Sequence, residues 1–165
     1  MRTSRVFVAL FLALSTTAAA TTVVGVEPAA AATVVDNIRQ VVSLTNVQRR
    51  AYGCPNLAAN IPLMHAAQQH TSDMPAHNYF AHNSQNGKDP GSRITANGYR
   101  WTRWAENIAA GFPTAAKVVD GWMKSPGHRA NILNGRFHEI GVGLVTGAPV
   151  PRVRGAGTYT TDFGG

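Results

Sequence analysis

Residues 121–133 read GWMKSPGHRANIL, a stretch that combines the end of a helix with an ionisable side chain. Thr114 can cap a helix upstream of this stretch, and the apolar face of that helix ends at Trp122. Ser125-Pro126-Gly127 has the composition of a turn and predicts where the helix stops. His128 follows at once, so we expect the turn to direct its imidazole away from the helix and toward another part of the fold.

Two further helices are predicted closer to the N-terminus. Asp36 can cap the first, which we expect to end near Tyr52, and Asn60 can cap the second, with Pro62 in its first turn. The second helix has one apolar face, formed by Leu63, Ala66, Ala67, His70 and Met74. On that face, His70 is either a metal ligand or a core histidine bonded to nearby backbone. We favour the second interpretation.

The rest of the domain contains loops and strands. Turn-forming residues cluster from 78 to 98, which indicates a loop with at most a helical turn over 92–96. Residues 139–145 and 158–164 alternate in side-chain character, as strands with one buried face do. Residues 147–157 would join them as an irregular hairpin connection. Helices early in the chain and strands late predict an α+β fold.

The N-terminus has the features of a signal peptide. Two arginines precede the uninterrupted apolar stretch 6–14, and residues rich in alanine and threonine follow it. Small residues favour cleavage before Thr33, with a cut after Ala20 as the alternative. An uncleaved membrane anchor is the other interpretation, but the stretch is weakly apolar for a span. We therefore predict a signal peptide over 1–32 and one secreted or cell wall-associated domain over 33–165, without a transmembrane segment.

The charge of the chain indicates its surroundings. It carries 15 Lys and Arg residues against 8 Asp and Glu residues, which gives a net charge of +7. This balance favours anionic cell-envelope polymers or lipids as partners. The basic residues are scattered and form neither a helical stripe nor a recognised nucleic-acid motif, so nucleic acid is not an expected partner. Nothing in the pattern indicates a particular oligomeric state.

Cys54 is the single cysteine of the chain, so the domain holds together without an internal disulfide. A free cysteine packs as a small apolar side chain, and we therefore expect Cys54 to be a buried thiol. An exposed, reactive thiol is the alternative.

In each of three short segments, an ionisable residue lies among residues whose types indicate a structural role. The segments are residues 80–84 around His82, residues 105–109 around Glu106 and residues 125–133 around His128. Glu106 has apolar neighbours in the chain, so its carboxylate needs a partner if it is buried. The gaps between the three segments match no metal-binding motif, and each residue alone also has a structural explanation.

Taken in order, these segments resemble the CAP superfamily, which comprises the cysteine-rich secretory proteins, antigen 5, the plant pathogenesis-related proteins and their bacterial secreted relatives. The resemblance runs through almost the whole domain. Its pieces are residues 45–49, 53–57, 66–74, 79–82, 93–99, 105–111, 121–133, 139–143 and 159–164.

The resemblance implies a three-layer α–β–α sandwich with a central antiparallel sheet, and a cleft lined by two histidines and acidic residues. In this sequence the histidines are His82 and His128, and the first acid is Glu106. Animal and plant members often have a second glutamate between the tryptophan-bearing helix and the second histidine, where this chain is too short. Asp120 and Glu139 are the candidates for that additional acid.

Two other positions depart from the family pattern. Bacterial relatives often have a cysteine near Gly135 that would suit Cys54, so the glycine agrees with an unpaired thiol. The last strand usually reads Tyr-Trp-Thr-Gln before its acid. Here it reads Tyr159-Thr160-Thr161-Asp162, which would reshape the wall of the cleft.

Two neutral imidazoles and a carboxylate can bind zinc or another divalent metal ion and leave a position open for water.

Three hypotheses about function follow. The chain is a secreted protein that binds a lipid, a small hydrophobic molecule or a surface partner without catalysis, with His82 and His128 as candidate metal ligands. Alternatively, it is a metal-dependent, peptidase-like hydrolase of an extracellular polymer, with Glu106 as base, or a structural module of the cell envelope. We favour the first, because the family that the chain resembles has no shared reaction.

Overall fold

The computed structural model describes residues 28–146 and 157–165, with side chains from Thr33 onward. The elements in chain order are α1 (Pro28–Ala51), β1 (Ala58–Ala59), α2 (Ile61–Ala76), α3 (Pro90–Ala96), β2 (Trp104–Phe112), α4 (Ala115–Lys124), α5 (Pro126–Ile132), β3 (Glu139–Thr146) and β4 (Gly157–Gly164).

The described strands form one sheet in the order β1-β3-β4-β2. Strand β4 pairs antiparallel with both β3 and β2, and only the short β1 runs parallel to its neighbour. Helices α2 and α3 pack against one face of the sheet, and α1, α4 and α5 pack against the other. The fold is therefore an α+β sandwich of three layers, as predicted.

Strand β3 alternates glycine with large apolar residues, and this alternation shapes both faces of the sheet. The large residues pack into the main core with α1 and α4: Ile140, Val142 and Leu144. On the other face, a Cβ at Gly143 would lie 2.6 Å from the backbone of Ala67, and a Cβ at Gly141 would overlap the backbone of Leu63. Helix α2 therefore lies directly on the backbone of the strand.

A buried arginine joins the first helix to the other end of the domain. Arg49 is fully buried and donates to the carbonyls of Pro55 at 2.7 Å, Ile132 at 2.7 Å, Asn134 at 2.9 Å and Phe137 at 3.0 Å. Carbonyl acceptors satisfy the guanidinium without a carboxylate. The side chain thus links α1 to the end of α5 and to the loop that leads into β3.

The predicted caps of two helices are confirmed. The side chain of Asn60 accepts from the N–H of Leu63 at 3.2 Å at the start of α2. Thr114 accepts in the same way from Lys117 at 3.3 Å at the start of α4. Helix α2 buries the predicted face, including His70.

Two predicted helix boundaries are wrong. Helix α1 begins at Pro28, so Asp36 lies inside it and not at its cap. Pro126 does more than end α4, because it occupies the first turn of a new helix, where its missing N–H is harmless. His128 therefore lies in the first turn of α5 and does not follow a free turn.

Strand β2 was not predicted. Its sequence, WAENIAAGF, does not alternate between polar and apolar residues, because helices cover both faces of the sheet at this strand. Helix α3 is also longer than the predicted helical turn. Asp89 caps it by accepting from the N–H of Ser92 at 2.7 Å.

Cys54 lies between the two environments expected for it. The residue is half-buried, and its Sγ lies 3.1 Å from the carbonyl oxygen of Leu133. It is thus neither a core thiol nor a freely exposed one.

Some predictions concern residues outside the described ranges. The signal peptide falls mainly in residues 1–27, and the irregular hairpin connection falls in residues 147–156. Among the helices that the structure describes, none has the length and apolar character needed to cross a bilayer.

The contact between α2 and β3 gives a test of the packing. Replacing Gly141 with Ala forces a methyl group into the backbone of α2, so we expect the free energy of unfolding to fall by about 1–3 kcal/mol. Urea denaturation followed by circular dichroism measures this change. The matched control is Gly135→Ala, since a Cβ at Gly135 meets nothing within 4 Å. Equal effects of the two substitutions would contradict the close packing of α2.

Candidate functional site

Glu106 lies on β2 with its side chain 1% exposed, and each carboxylate oxygen has its own partner. Oε2 lies 2.5 Å from Nη2 of Arg93, and Oε1 lies 2.7 Å from Nδ1 of His82. An ionised carboxylate this deeply buried is tolerated only when it is paired. The partner that the sequence required is therefore Arg93, with His82 beside it.

Arg93 belongs to α3 and is itself buried, at 6% exposure. Its Nη1 donates to the carbonyl of His82 at 2.9 Å, the carbonyl of Lys88 at 3.1 Å and the Oγ of Ser84 at 3.3 Å. The Arg93 guanidinium thus fixes both the Glu106 carboxylate and the loop that carries His82.

The sequence analysis did not identify Arg93 as a site residue. The sequence did indicate that a buried Glu106 would need a partner. It could not indicate which one, because the chain has 15 Lys and Arg residues.

His82 is oriented by Glu106 and remains accessible. Its Nδ1 faces the carboxylate, while 52% of its side chain is exposed. When the neutral ring donates from Nδ1, its Nε2 presents a free lone pair. A histidine held by a carboxylate through one nitrogen is the usual arrangement of a metal-binding imidazole.

The loop around His82 is also held from α2. Nε2 of His70 lies 2.9 Å from the carbonyl oxygen of Ala81, the residue before His82. His70 is 1% exposed, and burial lowers its pKa, which favours the neutral ring. The prediction that His70 is a core histidine bonded to backbone is confirmed.

His128 reaches the same region from the other helical layer. It is half-buried, and its backbone carbonyl accepts from Nδ2 of Asn107 on β2 at 3.2 Å. Burial lowers the pKa of His128, and the charge of the neighbouring His82 lowers it further. Of the three predicted site residues, Glu106 contacts His82 directly, and His128 lies close enough to His82 for the charge of one ring to affect the pKa of the other.

The two additional acids predicted for the site are engaged elsewhere. Asp120 pairs with Lys124 at 2.7 Å on the exposed side of α4. Glu139 accepts from Nδ2 of Asn60 at 2.8 Å and from the hydroxyl of Tyr99 at 2.6 Å. Neither acid bonds to His82, Glu106 or His128.

The acid that does lie beside Glu106 is Asp162. The two residues face each other across β2 and β4, and Asp162 is fully buried. Its oxygens receive no hydrogen bond from a donor among the described residues. Burial first, and then the charge of Glu106, raise the pKa of Asp162 well above its ordinary value. The raised pKa favours the neutral carboxyl of Asp162 beside Glu106, a placement that depends on strand register and that the sequence analysis did not assign.

The groove above these residues holds about 390 Å³ and is open to solvent. Its lining includes His82, Glu106, Trp104 and Asn131. In the described ranges, no three His, Cys, Asp or Glu side chains are placed to hold a metal ion together. Because Glu106 is committed to Arg93 and His82, the two imidazoles are the donors that remain.

Comparison with known proteins agrees with this architecture. The sequence model of the cysteine-rich secretory protein family, CAP, matches residues 42–159. The chain belongs to the CAP family. The match includes His82, Glu106 and His128, so all three lie inside the family domain.

Relatives of this CAP domain occur in bacteria. The YkwD protein of Bacillus subtilis (strain 168) is 40% identical over 107 residues, which cover 65% of this chain and 42% of YkwD. An extracellular protein containing an SCP domain from Bacillus anthracis str. Ames matches with a TM-score of 0.68 and 32% identity, over 78% of this chain and 40% of that protein. The chain thus spans less than half the length of these two relatives.

A more distant protein shares the fold alone. An outer surface protein from Borrelia burgdorferi aligns with a TM-score of 0.69 at 19% identity, over 78% of this chain and 92% of the Borrelia protein. The CAP architecture is therefore retained where most of the sequence differs.

Asp162 gives a prediction about pH. Because its pKa is raised in the folded state, the folded chain keeps a proton that the unfolded chain releases above about pH 4. The stabilising contribution of this proton is complete below that pH and is lost as the pH rises through the folded-state pKa. Asp162→Asn keeps a donor for Glu106 and does not titrate. We expect this variant to exceed the wild type in unfolding free energy by about 1–3 kcal/mol at high pH.

Urea denaturation from pH 4 to pH 9 measures the difference, which should shrink toward the acid end. Asp120→Asn is the control, since its carboxylate is 54% exposed and should show no such trend. A pH-independent loss of stability in Asp162→Asn would show that Asp162 is not protonated beside Glu106.

Proposed function

We propose that this CAP domain acts outside the cell as a non-catalytic binding module whose cleft holds a divalent cation between His82 and His128. The observation that carries the proposal is the 2.7 Å contact between Nδ1 of His82 and Oε1 of Glu106. A carboxylate in this position fixes the orientation of a metal-binding imidazole, and such a contact strengthens metal binding about 10–100-fold.

Each residue of the cleft would have a separate role in holding the cation. Arg93 pairs with the buried Glu106 carboxylate, and Glu106 in turn holds Nδ1 of His82. The Nε2 lone pair of His82 is then available, and a neutral His128 is favoured by its lowered pKa. A divalent ion bound there would supply a Lewis-acidic centre for anionic oxygens of a ligand.

The donor set favours binding over catalysis. Catalytic zinc sites have three protein ligands and one open position. Glu106 is bonded through both oxygens, which leaves two imidazoles and several open positions. Such a cation would complete its coordination with oxygens of the bound ligand, so an anionic polymer is a better fit than a lipid chain.

Several features together support the proposed extracellular location. The N-terminal sequence has the pattern of a signal peptide, with a positively charged start and the apolar stretch 6–14. The Bacillus anthracis relative is described as an extracellular protein. A net charge of +7 would favour association with anionic envelope polymers.

Zinc titration by calorimetry tests the proposal. We expect the wild type to bind one zinc ion, and we expect His82→Ala and His128→Ala each to weaken binding at least about tenfold through the loss of one of two imidazole ligands. His65→Ala is the matched control, because His65 is an exposed histidine on α2 and should leave the affinity within about twofold. Circular dichroism establishes that each variant is folded.

The other two hypotheses predict different outcomes. Hydrolysis of peptide or ester substrates by the zinc-loaded protein, lost in His82→Ala, would establish the metal-dependent hydrolase. If zinc neither binds nor raises the melting temperature, the histidines and Glu106 serve only to hold the loops, and the structural module is correct.

A further inference from the structure

Two tryptophans lie next to the His82–Glu106 groove. Trp101 is 40% exposed, and Trp104, the first residue of β2, is half-buried. Their ring centroids are 6.3 Å apart, and the ring planes meet at 81°. Together they form an edge-to-face aromatic pair that is partly exposed at the surface of the domain.

Both indoles are fixed before any ligand arrives. Nε1 of Trp101 donates to Oγ1 of Thr95 on α3 at 2.9 Å, which sets the direction of the ring. Trp104 packs against Gly91, where an added Cβ would come within 2.5 Å of its Nε1. Because the rings do not have to be ordered on binding, little conformational entropy is lost.

The surface around the indoles is polar as well as aromatic. A groove of about 430 Å³ runs beside them and is also lined by Asp89, Ser92 and Thr95. Asp89 and Trp104 line this groove and the one that contains His82 and Glu106. The two grooves therefore adjoin at Asp89 and Trp104, and together we call them the trough.

We infer that this trough binds a glycan chain, with sugar rings stacked on Trp101 and Trp104 and anionic substituents directed toward the His82 end. The inference rests on the proposed binding function and names its ligand class. A pyranose ring has an apolar C–H face and a hydroxyl edge, which match a rigid indole and a rim of carboxylate and hydroxyl oxygens. A lipid tail would require an enclosed apolar channel, and this trough is open and polar along its edge.

The charge near the tryptophans favours an acidic glycan. Arg100 and Arg103 flank Trp101 in the chain, and both are exposed. They would attract carboxylate or phosphate groups carried by the polymer. Asp89, an acidic residue that lines the tryptophan groove, can accept hydrogen bonds from sugar hydroxyls.

Binding of hexagalacturonate and of chitohexaose provides the test, measured by calorimetry and by protection of tryptophan fluorescence from acrylamide. Trp122 is 1% exposed, so quenching reports Trp101 and Trp104. We expect both sugars to bind, the acidic one more tightly. Trp101→Ala should weaken binding at least about tenfold, whereas Trp101→Phe should weaken it less because it keeps an aromatic face.

Tyr52→Ala is the matched control, since Tyr52 is a 60% exposed aromatic residue at the end of α1 and should leave affinity unchanged. Titrations in EDTA separate this inference from the proposed cation site, because the effect of Trp101→Ala should persist without metal. Zinc affinity should be the same in Trp101→Ala and wild type. If zinc fails to bind but the sugars bind through Trp101, only the cation site is wrong.

Three results would overturn the glycan site. They are no sugar binding at millimolar concentration, sugar binding unaffected by Trp101→Ala, and a decaproline peptide or phosphatidylglycerol vesicles protecting the tryptophans where the sugars do not. The third result would assign the trough to a peptide or to a membrane surface.

Discussion

The ion pair between Arg93 and Glu106 is the interaction on which the cleft depends. Water cannot solvate a carboxylate whose side chain is 1% exposed, so its ionised form requires a cation from the protein. Arg93 meets that requirement and uses its other terminal nitrogen to hold the carbonyl of His82. The same contact therefore supports the stability of the domain and the geometry of its cleft, and neither can be altered alone.

The position of the cleft follows from the way the sheet ends. Strand β2 is an edge strand, and side chains from the helical layer of α4 and α5 satisfy two of its carbonyls. Nδ2 of Asn131 donates to Glu106 at 3.3 Å, and Nε1 of Trp122 donates to Ile108 at 3.4 Å. These bonds occupy two acceptors that another strand would need in order to pair there. Because α5 closes this edge, it also brings the backbone of His128 against Asn107 of β2.

Local signals in the sequence were sufficient for part of the structure. The caps at Asn60 and Thr114 and the apolar periodicity identified α2 and α4, because those signals act within a few residues. Strand β2 lacked alternation since both of its faces are covered. The roles of Arg93 and Asp162 depend on which helix packs near Glu106 and on the register of β4, both set by distant parts of the chain. The spacing of His82 and His128 in the chain matches no metal-binding motif, because distant parts of the chain decide which residues meet in the fold. Only the family resemblance could therefore identify these two histidines.

The bare backbone of β3 at Gly141 and Gly143 has a consequence for how this domain can change during evolution. These glycines set the height of α2 above the sheet, and α2 carries His70, which holds the carbonyl of Ala81. A larger residue in β3 would raise the helix and carry the Ala81 loop outward with it. The distance between α2 and the sheet and the position of the loop that carries His82 should therefore change together during evolution. Homologues that lose these glycines should also show compensating changes at position 70 or in the length of that loop.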